Sequence, residues 1–116
     1  MSHASALQPN EADGIFAALG DATRRAILKM VLQGPQSVSV LAGAIDVTLT
    51  AVSQHLRIME SCGLVRTRKV GRVRMCEADH RGLDVLADWV SLNRRMWEER
   101  FDRLDAMLRD EESPAT

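Results

Sequence analysis

The sequence predicts a mainly α fold with a small β component: a helix-turn-helix, then a two-stranded hairpin, with further helices at both ends. Three observations predict it. Thr48–Arg57 has helical periodicity, with Leu49, Val52, Leu56 and Met59 on one side and Thr50, Ser53, Gln54, Arg57 and Ser61 on the other. A shorter apolar helix precedes it across a tight turn at Asp46-Val47, and Leu64–Cys76 alternates in strand fashion around Gly71.

The bulk numbers fit one domain with helical extensions. The chain has 116 residues and is 46% hydrophobic but only 3% aromatic, so aliphatic side chains must fill the core. Domains of this size often borrow stability from a second subunit. No run of 18 apolar residues exists, so no membrane partner is expected, and Met1–Pro9 lacks the layout of a secretory signal. Two cysteines, Cys62 and Cys76, are too few for a disulfide scaffold, and the expected location is cytoplasmic.

Charge is unevenly placed. Residues 1–76 hold nine Lys/Arg against five Asp/Glu, whereas residues 77–116 hold six against eleven. Five of the nine residues in Arg66–Arg74 are basic and none is acidic. Such a basic strand pair is either a surface for a polyanion or an edge kept soluble by its charge.

The elements follow in order. Residues 1–9 and 111–116 are expected to be flexible tails. Asn10 is the expected cap of a first helix with Ile15, Phe16 and Leu19 apolar, ending at Gly20. Asp21 caps a second helix, Ala22–Gln33, with Ile27, Leu28, Val31 and Leu32 inward, and Gly34-Pro35 stops it. Ser39 is the expected cap of a third, short helix through Ile45, with Val40, Leu41 and Ala44 apolar. Asp46 sits where the turn needs a residue tolerant of the left-handed conformation. Thr48 caps the fourth helix, which Cys62-Gly63 ends. In the first strand Leu64, Arg66, Arg68 and Val70 share one face and Val65, Thr67 and Lys69 the other; Val73 and Met75 alternate with Arg72 and Arg74 in the return strand. From Arg81 to about Arg109 the pattern is helical again, with Leu83, Leu86, Val90, Trp97, Phe101, Leu104 and Leu108 recurring at spacings of three, four or seven. A helix of about 27 residues spans about 40 Å, too long for its far end to be buried against so small a domain. The apolar stripe then favours a second copy over a fold-back onto its own domain.

A hairpin with a basic tip directly after a helix-turn-helix is what a winged helix looks like. The sequence resembles the ArsR-type winged-helix repressors. The resemblance is carried by Phe16-Ala-Ala-Leu-Gly-Asp-Ala-Thr-Arg-Arg-Ala-Ile-Leu, by Val52-Ser-Gln-His-Leu-Arg-Ile-Met-Glu-Ser-Cys-Gly-Leu-Val, and by the wing around Gly71-Arg72, over about residues 11 to 78. It departs at Ala22, where the family often has Pro. The resemblance implies a homodimer built from the first and last helices and repression of a promoter, often the protein's own. Residues 10–80 would then form the DNA-binding domain and 81–110 the dimerisation helix, with Ile15, Phe16, Leu86, Val90, Trp97, Phe101 and Leu104 at the contact.

Double-stranded DNA is the expected partner. Thr50, Ser53, Gln54 and Arg57 are expected to face bases, because Gln can pair bidentately with adenine and Arg with guanine. Thr48 and Ser53 have the length to reach phosphate oxygens. Arg68, Lys69, Arg72 and Arg74 are expected as wing contacts that position rather than specify. His55 reads as structural or phosphate-binding, and Arg24 and Arg25 as backbone contacts or partners of acids.

No cofactor or metal is expected. Family members that sense metals use a Cys-x-Cys pair on the third helix or Asp/His/Glu sets on the last. Val38–Ile45 has no Cys, and the last helix has no His beyond His80. Cys62 matches a ligand position of one cadmium/lead-sensing branch, but its usual companion four residues earlier is Ile58. Two alternatives stay open here: a metal- or redox-responsive repressor using Cys62 and Cys76, and a winged-helix interaction module that no longer binds DNA. The three His and scattered acids supply no nucleophile, base and orienter in a pattern, so no enzyme is expected.

Overall fold

In the computed structural model, described over residues 9–112, five helices and three strands follow in order. They are α1 Pro9–Leu19, α2 Ala22–Val31, β1 Gln36–Ser37, α3 Val38–Ile45, α4 Leu49–Ser61, β2 Val65–Val70, β3 Val73–Ala78 and α5 His80–Glu112. The expected tails fall outside the described residues except for Pro9, Glu111 and Glu112, which belong to helices. Helix α1 starts one residue ahead of Asn10, with Pro at a position that needs no N–H partner.

Side-chain caps set the helix starts. The Asp21 carboxylate accepts from the Arg24 amide at 3.0 Å, Ser37 Oγ from Val40 N at 3.1 Å, and Thr48 Oγ1 from Ala51 N at 3.1 Å. The cap of α3 is therefore Ser37, not Ser39. That shift turns Val38, Leu41 and Ala42 inward and leaves Val40 and Ala44 outside. Asp46 ends α3 in the left-handed conformation at φ 61°, as the turn chemistry requires.

The core lies where α1–α4 meet the sheet. Ile15, Ile27, Leu41, Val52, Leu56, Met59, Leu64, Val65 and Cys76 are essentially fully buried, and each large aliphatic among them contributes about 1.5–3 kcal/mol. The sheet has three antiparallel strands in the order β1-β3-β2. The two residues of β1 pair with Cys76 and Met75, so the hairpin is tied to the start of α3. Thr67 pairs with Cys76 and Arg68 with Met75. Paired residues share a face, which puts Val65, Thr67 and Cys76 inward. The sheet's outer face carries Arg66, with Glu77 as its ion-pair partner at 3.2 Å. The tip valines Val70 and Val73 project beyond the core and are exposed.

Helix α5 is anchored at its start and free beyond. Asp79, buried, accepts from the Arg81 amide at 3.0 Å and takes the Arg81 guanidinium at 2.8 Å. Leu83, Val85 and Leu86 then pack on the core, and Trp89 meets Phe16 edge-on at 4.7 Å. Beyond Val90 every described side chain except Asn93 is exposed. At 33 residues α5 is about 50 Å long. The radius of gyration, 20.3 Å, compares with about 13 Å for a compact chain of this length. The helix does not fold back.

Candidate nucleic-acid interface

The outward face of α4 is built by burying the opposite one. Val52, Leu56 and Met59 are fully buried, which fixes the helix's rotation and turns Thr50, Gln54 and Arg57 to solvent. Among the described residues none of these three side chains makes a hydrogen bond or ion pair, so their donors and acceptors stand ready for a ligand. Ser53 is half-buried on the flank toward the hairpin. Thr48 spends an oxygen lone pair on its cap but keeps a hydroxyl proton to donate.

Leu49 departs from the periodicity. It opens α4 and is 55% exposed rather than inward. With Ser39, Ser53 and the hairpin residues Arg72, Val73 and Arg74 it lines a recess of about 300 Å³ between the helix and the wing. Ser39 and Val73 were not among the expected site residues. Their only sequence signal is their adjacency to a cap and to a basic tip.

The basic residues of the wing are not equivalent. Arg68, Lys69 and Arg72 are exposed and, among the described residues, make no ion pair. Arg74 is exposed too but already engaged: its guanidinium donates to Thr67 Oγ1 at 3.3 Å and lies 3.9 Å from Glu60. Glu60 also accepts from the Thr67 amide at 3.2 Å and hydroxyl at 3.0 Å. Arg74 thus joins the wing to the end of α4, a role its place in the basic run did not signal.

A second set of contacts fixes α4 from below. Arg24 donates to the Ala18 carbonyl at 2.6 Å and to the His55 ring at Nδ1, 3.2 Å away. A guanidinium can only donate, so Nδ1 accepts and the proton of the neutral ring lies on Nε2. The Asp21 carboxylate is 3.8 Å from the same Nδ1, and the Arg24 amide beside it lowers its pKa. Arg25 donates to the Leu19 carbonyl at 2.8 Å. Both arginines donate to open carbonyls at the end of α1, and His55 braces α4 against that corner through Nδ1.

Of the expected dimer residues, Ile15 is turned into the protomer's own core and Leu86 packs part-buried against it. Phe16, Val90, Trp97, Phe101 and Leu104 are exposed. Trp97 and Phe101 stack at 5.6 Å, and Arg100 lies 5.8 Å over the indole.

Both cysteines are free thiols. Burial raises the pKa of Cys62, whose thiol donates to the Met59 carbonyl at 3.4 Å. Burial, helped by Glu60, pushes Cys76 up to about 12. Both shifts disfavour the thiolate that metal binding and oxidation require. Among the described residues no three His, Cys, Asp or Glu side chains are grouped to hold a metal ion, and no helix is long and apolar enough to cross a membrane.

A capped helix with a short helix before it and a basic hairpin after it has counterparts among known proteins. The sequence model described as bacterial regulatory protein, arsR family, matches residues 21–67, from the cap of α2 into β2. An HTH-type transcriptional regulator of Mycobacterium tuberculosis, Rv2034, is 40% identical over 74 residues, which are 64% of this chain and 69% of that protein. The chain belongs to the ArsR family. The fold agrees along nearly the whole length of solved ArsR-family structures. An ArsR-like transcriptional regulator from Rhodococcus sp. RHA1 superposes with a TM-score of 0.72 at 33% identity, covering 84% of this chain and 92% of that one. A homodimeric winged helix-turn-helix DNA-binding domain from Mycobacterium bovis, described as a possible ArsR-family regulator, gives 0.61 at 27%, covering 89% and 92%. In ArsR-family terms α3 and α4 are the helix-turn-helix and β2–β3 the wing.

Proposed function

We propose that the protein is a sequence-specific DNA-binding regulator that acts as a homodimeric repressor on an imperfect palindrome, its own promoter included. The observation that carries this reading is the outward face of α4: Thr50, Gln54 and Arg57 project from a rigidly held helix without partners among the described residues. A major groove presents base edges that these side chains can read, Gln54 by a bidentate pair with adenine and Arg57 by guanine or phosphate. Thr48 and Ser53 donate to phosphate oxygens beside the N-terminus of α4. Arg68, Lys69 and Arg72 set the wing on the backbone, and Arg74 holds the wing in place.

A homodimer is supported by the exposed apolar face of α5, which a second copy would cover, and by the homodimeric relative from M. bovis. Phe16, Val90, Trp97, Phe101 and Leu104 would form that contact. Two-fold symmetry would set the two reading helices about one DNA turn apart, ~34–36 Å, which is why the site should be palindromic.

The test is binding to the DNA upstream of the protein's own gene at several salt concentrations. Gln54→Ala is expected to reduce discrimination between that DNA and random sequence by about 1–3 kcal/mol per half-site. Arg72→Ala is expected to weaken both nearly equally and to flatten the salt dependence by about one phosphate per subunit. Equal loss on both DNAs for Gln54→Ala would overturn the base-reading role. Sequence-blind binding that ignores salt would overturn the whole reading in favour of a protein-interaction module.

A further inference from the structure

Leu49 is a large aliphatic residue exposed on the first turn of α4, between the exposed Thr48 and Thr50. It lies outside the core cluster, so the fold does not explain it. None of the residues proposed for the dimer contact lines the recess that holds Leu49. Its neighbours give the recess two kinds of lining. Leu49, Val73 and Val38 are apolar; Ser39, Ser53, Arg72 and Arg74 bring hydroxyls and positive charge. An occupant that fits both is anionic along one edge and carries an apolar group on the other. A DNA strand has that character where a thymine sits, because thymine alone among the four bases presents a methyl group in the major groove. Residues of the first turn of a recognition helix are the ones placed to reach base edges.

We infer that Leu49 is a specificity-determining residue that selects a thymine in each half-site by packing on its 5-methyl group. The inference rests on the DNA-binding reading above and deepens it, adding an apolar readout to the hydrogen bonds of Gln54 and Arg57. Arg72 and Ser53 hold the strand's phosphates while Leu49 excludes water from the methyl. A base lacking that methyl leaves Leu49 in water and loses the gain.

The experiment removes the methyl from the DNA rather than from the protein. The full-length chain is titrated against its footprinted promoter fragment, in which each thymine of the protected region is replaced in turn by deoxyuridine. The wild type should lose on the order of fourfold in affinity per half-site at one symmetry-related thymine, the amount expected for one buried methyl group. Leu49→Ala should bind the unmodified fragment more weakly and be indifferent to deoxyuridine there. Leu49→Met, which keeps an apolar side chain, should retain the response. Because Leu49 is outside the core, the thermal stability of both variants should equal that of the wild type. A wild-type profile with no deoxyuridine-sensitive position, or one unchanged by Leu49→Ala, overturns this inference while leaving the DNA-binding reading intact. Failure of the wild type to bind the unmodified fragment overturns both.

Discussion

Helix α4 and the outer two-thirds of α5 are both amphipathic, yet they complete themselves differently. In α4 Val52, Leu56 and Met59 are fully buried inside the protomer, and on that face Leu49 alone, at the first turn, stays exposed. In α5 Met96, Trp97, Phe101, Leu104, Met107 and Leu108 remain 44–63% exposed. A helix whose apolar face is satisfied has its polar face free for recognition. A helix whose apolar face is open needs another surface, and its salt bridges do not substitute. Arg94–Glu98 and Arg109–Asp105, at 3.3 and 2.6 Å, are exposed pairs one turn apart, each worth about 0.3–0.5 kcal/mol. The same periodicity thus marks a finished element in one place and an unfinished one in the other.

The strongest way to break that comparison is to truncate one apolar residue on each helix. Leu56→Ala should destabilise the protein by about 2–5 kcal/mol, because the cavity opens in a closed core. Trp97→Ala should leave the winged-helix core unchanged and act through association. Thermal unfolding followed over a hundredfold range of protein concentration separates the two. The midpoint of the wild type and of Leu56→Ala should rise with concentration, and that of Trp97→Ala should not. A concentration-independent midpoint in the wild type would mean that α5 is not closed by a second copy.

The joint between the two regions comes next in size. A side chain at Gly82, in the first turn of α5, would place its Cβ 2.6 Å from the Gly63 carbonyl oxygen, where the Gly82 amide donates at 2.8 Å. Gly63 itself has φ 76°. Backbone occupies the space, so a Cβ cannot be accommodated by a side-chain rotation. Gly82→Ala should cost about 1–3 kcal/mol despite alanine's higher helix propensity. Because the shift falls between α4 and α5, it should also weaken operator binding more than its stability loss explains, read by anisotropy well below the unfolding midpoint.

These contrasts also mark what was legible in the sequence. The Thr48 cap, the Val52–Leu56–Met59 face, the left-handed Asp46 and the Gly71 turn are local features, and local rules read them correctly. The misplacements have non-local or very short causes. Strand β1 has two residues, fewer than any alternation can reveal, and it exists because Gln36 and Ser37 meet Cys76 and Met75 across the sheet. The expected cap of α3, Ser39, lies two residues past the actual one, because Ser37 caps the helix and Val38 turns into the core. Leu49 has a core-side angle but lies outside the core, since periodicity gives a direction and not what the helix meets there. Arg74 read as part of a basic run, and only the approach of Glu60 and Thr67 engages it.

The smallest expected effect is electrostatic and lies at the base of α5. The Arg81 guanidinium hydrogen-bonded to Asp79 is the main cause of that carboxyl's lowered pKa, and burial opposes it. A carboxylate with a folded-state pKa below its unfolded value adds stability that is fully present above the unfolded pKa. That stability disappears as the pH falls through the folded value. The relevant window is therefore below about pH 4, the ordinary range of an aspartate. Asp79→Asn keeps an oxygen to accept from the Arg81 amide but removes the charge. Because Arg81 is largely exposed, screening should limit the loss to about 1 kcal/mol at pH 7. Urea unfolding between pH 7 and pH 3 should show the gap between the wild type and Asp79→Asn constant down to about pH 4 and narrowing below it. A gap that does not narrow at all below about pH 4 would assign the loss to packing around Asp79 instead of its charge. Throughout, the midpoint of Asp79→Asn should keep the wild type's dependence on concentration, since the substitution touches the anchored start of α5 and leaves its open apolar face as it was.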